Sequence, residues 1–263
     1  MTIPVLLWSP TGGKIVRFMY NNLIDTATAT ANSAATDFPV TNLQHEWFKK
    51  EWRSTGVASE WVKFDLGSAQ NVAALVVKYH NFTGAATVHI QANATDAWGA
   101  PSVDVALPVT SDLIVYFWSA AQSYRWWRLT IVDAGNTDGY VRIGRIFLGT
   151  YFAPSRNCDN AYEIEPSDPS VTGMSTGGQV SADSRTHFRQ WIFDFRGLTA
   201  ADRTSFEAVF TIVGKETKPY FLSEYPDIGS TMIYYVRNVT NWRYKQMGGE
   251  GLFALQINIR EER

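Results

Sequence analysis

Trp61-Val-Lys-Phe-Asp-Leu-Gly67 carries Val62, Phe64 and Leu66 in alternation with Lys63 and Asp65. Successive side chains of a strand leave a sheet on opposite faces, so this period of two is that of a half-buried antiparallel strand. Tyr124-Arg-Trp-Trp-Arg-Leu-Thr-Ile131 repeats the pattern, with Trp127, Leu129 and Ile131 alternating with Arg128 and Thr130. Val141-Arg-Ile-Gly-Arg-Ile-Phe-Leu-Gly149 reads as a third strand. Further strands are expected at about 72–79, 87–92 and 113–118, with turns at 80–84, 95–101 and 133–139. Many short strands at this spacing indicate an all-β sandwich.

Composition agrees. Aromatic residues make up 14% of the 263-residue chain, including ten Trp, and charged residues only 18%. The formal charge of −2 offers no field to attract nucleic acid or an anionic membrane. The single cysteine, Cys158, cannot form an intramolecular disulfide, and no base stands beside it, so it is expected to be a bystander. The N-terminus lacks a basic segment and a long apolar core, so no signal peptide is expected. No apolar run approaches the roughly 20 residues that span a bilayer, so no membrane insertion is expected. The tripeptides at Asn81, Asn93 and Asn238 match the glycosylation signal, but without a secretory signal they count as chance matches.

Two units are expected, residues 1–152 and 153–263. Two N-terminal strands, Val5–Trp8 and Ile15–Tyr20, flank a turn at Ser9–Gly13. Tyr151-Phe-Ala-Pro-Ser155 marks the boundary, after which Pro and polar residues take over through Gly178. In the second unit Trp191, Phe193 and Phe195 share one strand face. A helix over about 199–213 is announced by Thr199 as N-cap and Asp202 as the partner of a capping box. Phe206, Val209, Phe210 and Val213 form its buried stripe and Gly214 ends it. Strands follow at about 219–222 and 232–237, and the chain closes on Phe253, Leu255, Ile257 and Ile259 in strict alternation. The fold class expected is mainly all-β: a jelly-roll β-sandwich followed by a β-sandwich with one helix.

Motifs for catalysis are missing from the text of the chain. No phosphate-cradling glycine loop, nucleophile elbow or Cys-x-x-Cys pair occurs, and His45, His80, His89 and His187 are too scattered for a metal signature. Asp133, Asn136 and Asp138 could offer oxygen ligands to calcium, but Asn, Asp and Gly are also what a tight turn demands, and the turn reading is preferred. His89, mid-strand, is expected to point outward. Neither a catalytic residue nor a metal or cofactor is assigned, and no acidic residue sits in a catalytic context, so a glycosidase or esterase ranks last.

Aromatic side chains in loops are the remaining candidates, because sugars bind by stacking on rings beside a few directed polar groups. These are His45 and Trp47, flanking Glu46; His80 and Asn81 in the turn after a strand; and Trp98 in Asp96-Ala-Trp-Gly99. Trp47 and Trp98 either touch a ligand or cap the ends of the sandwich. Trp52, Trp61, Trp127 and Trp191 are expected in the cores.

Asn42-Leu43, Glu51-Trp-Arg-Ser54, the Trp61–Gly67 strand, Lys78-Tyr-His-Asn81 and the two late strands together resemble the discoidin-type (galactose-binding-like) jelly roll over about residues 38–150. The variant is similar to one found in tail and baseplate proteins of long-tailed bacteriophages. Arg189-Gln-Trp-Ile-Phe-Asp-Phe195, Gly197-Leu-Thr-Ala-Ala-Asp202, Lys218-Pro-Tyr-Phe-Leu222 and Ile259-Arg-Glu-Glu262 resemble minor tail proteins, in which a β-sandwich with one helix assembles into rings. The resemblance implies a structural, non-enzymatic part of a phage tail tip or baseplate. It would be a homo-oligomer bound to other phage tail proteins, made in the host cytoplasm and located in the virion, contributing to host attachment. It also implies the alternative of a carbohydrate-binding module that recognises host cell-surface glycans. Two departures stand out: Asp25–Asp37 lacks the acidic calcium loop of many secreted discoidin domains, and the arginine and histidine cluster of sugar-binding members has no clear counterpart.

Overall fold

The computed structural model describes residues 15–109, 113–159, 163–224, 232–248 and 251–263. The expected strand at Val5–Trp8 and its turn lie outside the described residues. Along the chain run β1 (Arg17–Met19), β2 (Thr28–Ala31), β3 (Trp52–Arg53), β4 (Glu60–His80), β5 (Thr87–Asn93), β6 (Val103–Leu107), β7 (Leu113–Val132) and β8 (Arg142–Gly149). They continue as β9 (Glu163–Ser167), β10 (Val171–Met174), β11 (Val180–Asp183) and β12 (Phe188–Leu198). The helix α1 (Ala200–Val213) precedes β13 (Tyr220–Ser223), β14 (Ile233–Asn238), β15 (Arg243–Met247) and β16 (Leu252–Glu261). The chain is mostly β, as its alternation foretold.

The sequence breaks at Gly67-Ser-Ala-Gln-Asn71 do not end a strand. β4 runs through them for 21 residues and pairs antiparallel with the 20-residue β7 along nearly its whole length. Register shifts between Asp65 and Gln70, and between Val72 and Ala74, let the pair bend. Gly67 supplies the positive φ of 78° at the first of these. One folded ribbon thereby makes both layers of the jelly roll. The outer layer is β2, the first half of β4, the second half of β7, β5 and β6. The inner layer is β3, β8, the second half of β4 and the first half of β7. Val62, Phe64, Trp127, Leu129 and Ile131 meet Trp52, Leu75, Val77, Ile114 and Ile143 between them.

Ala74 and Val76 on β4 and Phe147 on β8 are buried on the opposite face of the inner layer, against Met19, Phe221, Ile233 and Tyr235. Burial on both faces explains why Val72–Val77 reads as an unbroken apolar run. The surface that covers it is a seven-stranded antiparallel sheet in the order β1-β13-β14-β16-β12-β9, with β15 on β16. β1 therefore hydrogen-bonds to β13 and joins the second sheet, although residues 1–152 were expected to form the jelly roll as one unit.

The other face of this sheet carries α1. Phe206, Val209 and Val213 pack with Phe18, Trp191, Phe193, Phe195, Leu255, Ile257 and Ile259. Thr199 Oγ1 accepts from the Asp202 backbone N–H at 3.1 Å, and Asp202 Oδ2 accepts from the Thr199 N–H at 2.9 Å, the reciprocal capping box read from the sequence. Trp52, Trp127 and Trp191 are fully buried, as expected. Trp61 is not: it lies half-buried on the outer face of the outer layer, on the side of Lys63 and Asp65.

Gly144 on β8 lies against the backbone of the 44–50 loop, where an added Cβ would collide with the Phe48 carbonyl. Because backbone cannot rotate aside, Gly144→Ala is expected to lower the unfolding free energy by about 2–3 kcal/mol. Urea denaturation should report a lower midpoint with an unchanged slope.

Candidate functional site

The five loop candidates fall in three neighbourhoods. His45 and Trp47 are adjacent: their rings lie 5.1 Å apart, and His45 Nδ1 accepts from the Trp47 N–H at 3.2 Å. Trp47 is 64% exposed. The rest of that loop is clamped to the second sheet. Tyr235 donates its hydroxyl to the Glu46 carbonyl at 2.9 Å, and Arg237 donates to Glu46 Oε2 at 2.9 Å. Phe48 is buried between Tyr79 and Tyr235. A cavity of about 560 Å3 at this junction is lined by Tyr20, Asp25, His45, Glu46, Arg145 and Lys218 among others. Arg145 is buried and pairs with Asp25 at 2.7 Å, and burial holds the Asp25 carboxyl above its ordinary pKa in spite of that partner.

His80 and Asn81 hold a turn. His80 is buried and stacked on Phe82 at 4.5 Å, and its Nδ1 accepts from the Phe82 N–H. Asn81 donates to Asp138 Oδ2 at 2.8 Å and to the Tyr140 carbonyl at 3.0 Å, and accepts from the Arg142 N–H at 2.8 Å. Asp133 accepts from Thr83 and Asn136. The Asp133 and Asp138 carboxylates are taken up by backbone and side-chain hydrogen bonds within the turn, and among the described residues no group of His, Cys, Asp and Glu is placed to hold a metal.

Trp98 opens onto the third neighbourhood, the outer face of the outer layer. Strand alternation puts Trp61, Lys63 and Asp65 of β4 beside Trp126, Arg128 and Thr130 of β7 and His89 and Gln91 of β5. Thr30, Lys63, Arg128, Gln91 and Asp104 form one continuous cross-strand row. Lys63 Nζ stands 5.4 Å from the Trp61 ring and 5.3 Å from the Trp126 ring, within cation–π range of both. It also donates to Asp96 Oδ2 at 2.6 Å, while the Trp98 indole N–H donates to Asp96 Oδ1 at 2.6 Å. The Arg128 guanidinium lies 4.4 Å over the Trp98 ring and reaches Gln91 Oε1 at 2.6 and 3.0 Å. Asp104 joins His89 at 2.7 Å and Gln91 at 3.1 Å.

At the edge of the face, Arg125 grips both oxygens of Asp65 at 2.6 and 2.7 Å and stacks 5.4 Å from Trp126. That hydrogen bond lowers the Asp65 carboxyl to about 2, so it stays ionised at ordinary pH. Asp96 is likewise lowered, chiefly by Lys63. The His89 ring is paired with Asp104, and among the described residues no hydroxyl or thiol is hydrogen-bonded to it. The face presents flat indoles among fixed donors and acceptors, which is the chemistry of recognition.

Trp61, Trp126, Lys63 and Arg128 were not among the sequence candidates. The signal was present: the alternation that sends Val62, Phe64 and Trp127 inward sends Trp61, Lys63 and Trp126 outward.

No protein-family model and no curated protein matches this chain. Among solved structures it is similar to chitosan-binding module 1 derived from a chitosanase/glucanase of Paenibacillus sp. IK-5, at 18% identity over 49% of this chain and 99% of that one, with a TM-score of 0.41. It is also similar to the lectin domain of lectinolysin complexed with Lewis B antigen, at 11% identity over 49% of this chain and 95% of that one (TM-score 0.41). A third is the family 32 carbohydrate-binding module of C. perfringens NanJ in complex with galactose, at 12% identity over 52% of this chain and 100% of that one (TM-score 0.41).

Two outcomes follow from the site geometry. Asn81→Ala is expected to cost about 1–3 kcal/mol of stability by orphaning the turn, with any ligand affinity unchanged in the folded protein. Burial pushes the Cys158 thiol up to about 12. At pH 8 roughly one thiol in ten thousand is then ionised, and a colorimetric disulfide reagent should react with Cys158 only on unfolding.

Proposed function

We propose that this protein is a non-catalytic carbohydrate-recognition component and that its binding surface is the outer face of the jelly roll. The observation that carries the proposal is the Trp61–Lys63–Trp126 layer. Two indoles, held by one ammonium, lie beside the Arg128-capped Trp98 and an unbroken row of hydrogen-bonding groups. Sugar rings stack on indole faces, and their hydroxyls need such fixed polar neighbours. The test is a glycan array followed by titration of the best hit. Trp61→Ala and Trp126→Ala should each weaken binding tenfold or more, and both side chains are half-buried on the solvent side of the sheet rather than in a core, so the fold should survive as judged by near-ultraviolet circular dichroism. An array without hits, or hits indifferent to both substitutions, overturns the proposal.

A second reading follows the phage-tail resemblance: a structural part of a tail tip or baseplate that assembles with copies of itself and with other tail proteins. The β10–β11 hairpin favours it. Among the described residues those strands pair only with each other, every residue in them is exposed, and Val171, Met174 and Val180 are 55%, 75% and 69% exposed. Exposed apolar side chains on an unsupported ribbon are what a neighbouring chain would cover. Light scattering of the concentrated protein should give a defined oligomer that is lost when residues 170–184 are replaced by a short Gly-Ser turn. A monomer in both forms would rule this reading out.

A further inference from the structure

We infer that the outer face takes an internal segment of an uncharged polysaccharide, rather than a terminal sugar or a charged chain. The inference rests on the carbohydrate reading above. Its first support is length. The polar row from Lys63 through Arg128 and Gln91 to Asp104 crosses β4, β7, β5 and β6, and at about 4.8 Å per strand it extends for roughly 14 Å. Trp61 and Trp126 flank this row on opposite sides, opposite Thr130 and Asp65 respectively, and one pyranose ring covers one indole, so contact with both rings and with the row needs several linked sugars.

Shape is the second support. The ligand surface is a sheet face flanked by β2 on one side and β6 on the other, and the β5–β6 connection bearing Asp96 and Trp98 is the raised element that supplies side chains to it. A terminal sugar is recognised by enclosure, which an open sheet face does not give. A chain can run along such a face and leave it at both ends.

Charge is the third. The face carries three carboxylates, Asp65, Asp96 and Asp104, and three permanent cations, Lys63, Arg125 and Arg128. Asp65 is matched by Arg125 and Asp96 by Lys63, Asp104 is bonded to His89 and Gln91, and Arg128 is spent on Gln91 and the Trp98 ring. A polyanion would have to displace Asp65 and Asp96 from their partners, and a polycation would have to displace Arg125 and Lys63. An uncharged hydroxyl does neither. It can accept from Lys63, whose ammonium has donors to spare, and donate to a carboxylate already fixed in place.

Affinity electrophoresis in gels containing barley β-glucan, galactomannan, hydroxyethylcellulose, polygalacturonate or glycol chitosan tests charge. Calorimetry with the oligosaccharide series of whichever neutral polymer retards the protein, from monomer to hexamer, tests length. The expected result is retardation by at least one neutral polymer but by neither charged one, and affinity rising tenfold or more between monomer and hexamer. Trp126→Ala should flatten that rise. Equal affinity for monomer and hexamer, or stronger retardation by a charged polymer, overturns this inference while leaving carbohydrate recognition standing. No retardation by any polymer, together with an empty glycan array, overturns both.

Discussion

The antiparallel pairing of β4 with β7 is the constraint from which the rest follows. Because Glu60–Lys78 pairs with Leu113–Ile131 through two register shifts, one ribbon contributes strands to both layers of the jelly roll. A side chain's parity along that ribbon then decides its environment. In the outer layer one parity meets the core and the other meets solvent. In the inner layer both parities are buried, because the second sheet covers the far face. The two layers therefore differ in what they can do: one can be a surface and the other only a support.

The support is tied down by polar as well as apolar contacts. Arg237 on β14 pairs with Glu46 in the jelly-roll loop at 2.9 Å and with Glu262 near the chain's end at 3.0 Å. Arg145 on β8 is held between Asp25 and the Leu43 carbonyl. A buried cation left without partners is costly, so each of these guanidiniums fixes the loops that satisfy it. Phe48, Tyr235 and Phe221 fill the space between them. β1 adds a covalent constraint, since the chain passes from the second sheet directly into the loops of the first.

What could be read from the chain was local. Thr199, Asp202 and Gly214 declared α1 because a capping box lies within a few residues, and the Phe253–Ile259 alternation declared β16. The continuity of β4 was not legible: Gly67-Ser-Ala-Gln-Asn71 has turn composition, and only pairing with the distant β7 keeps it extended. Nor was the placement of β1, whose partner Tyr220–Ser223 belongs to the other end of the chain. Trp61 was misread for a different reason. Size argued for burial, whereas parity with Lys63 and Asp65 argued for the surface, and parity prevailed because the sheet admits no other geometry.

The same physics is the reason for proposing a sheet face, joined by Trp98, rather than the His80–Asn81 turn or the loop around Glu46 as the recognition surface. The His80–Asn81 turn is consumed by bonds to Asp138, Tyr140 and Arg142, and the loop around Glu46 is consumed by Tyr235 and Arg237. Groups spent on holding backbone cannot also rearrange around a ligand. On the outer layer the polar groups are ordered by one another: Asp96 orients Lys63 and Trp98, and Gln91 orients Arg128. Side chains already fixed lose little freedom when a ligand arrives, so more of each contact appears as affinity. The same rigidity, on the solvent-facing side of the outer layer, would let the half-buried indoles of Trp61, Trp98 and Trp126 serve as the platform proposed above.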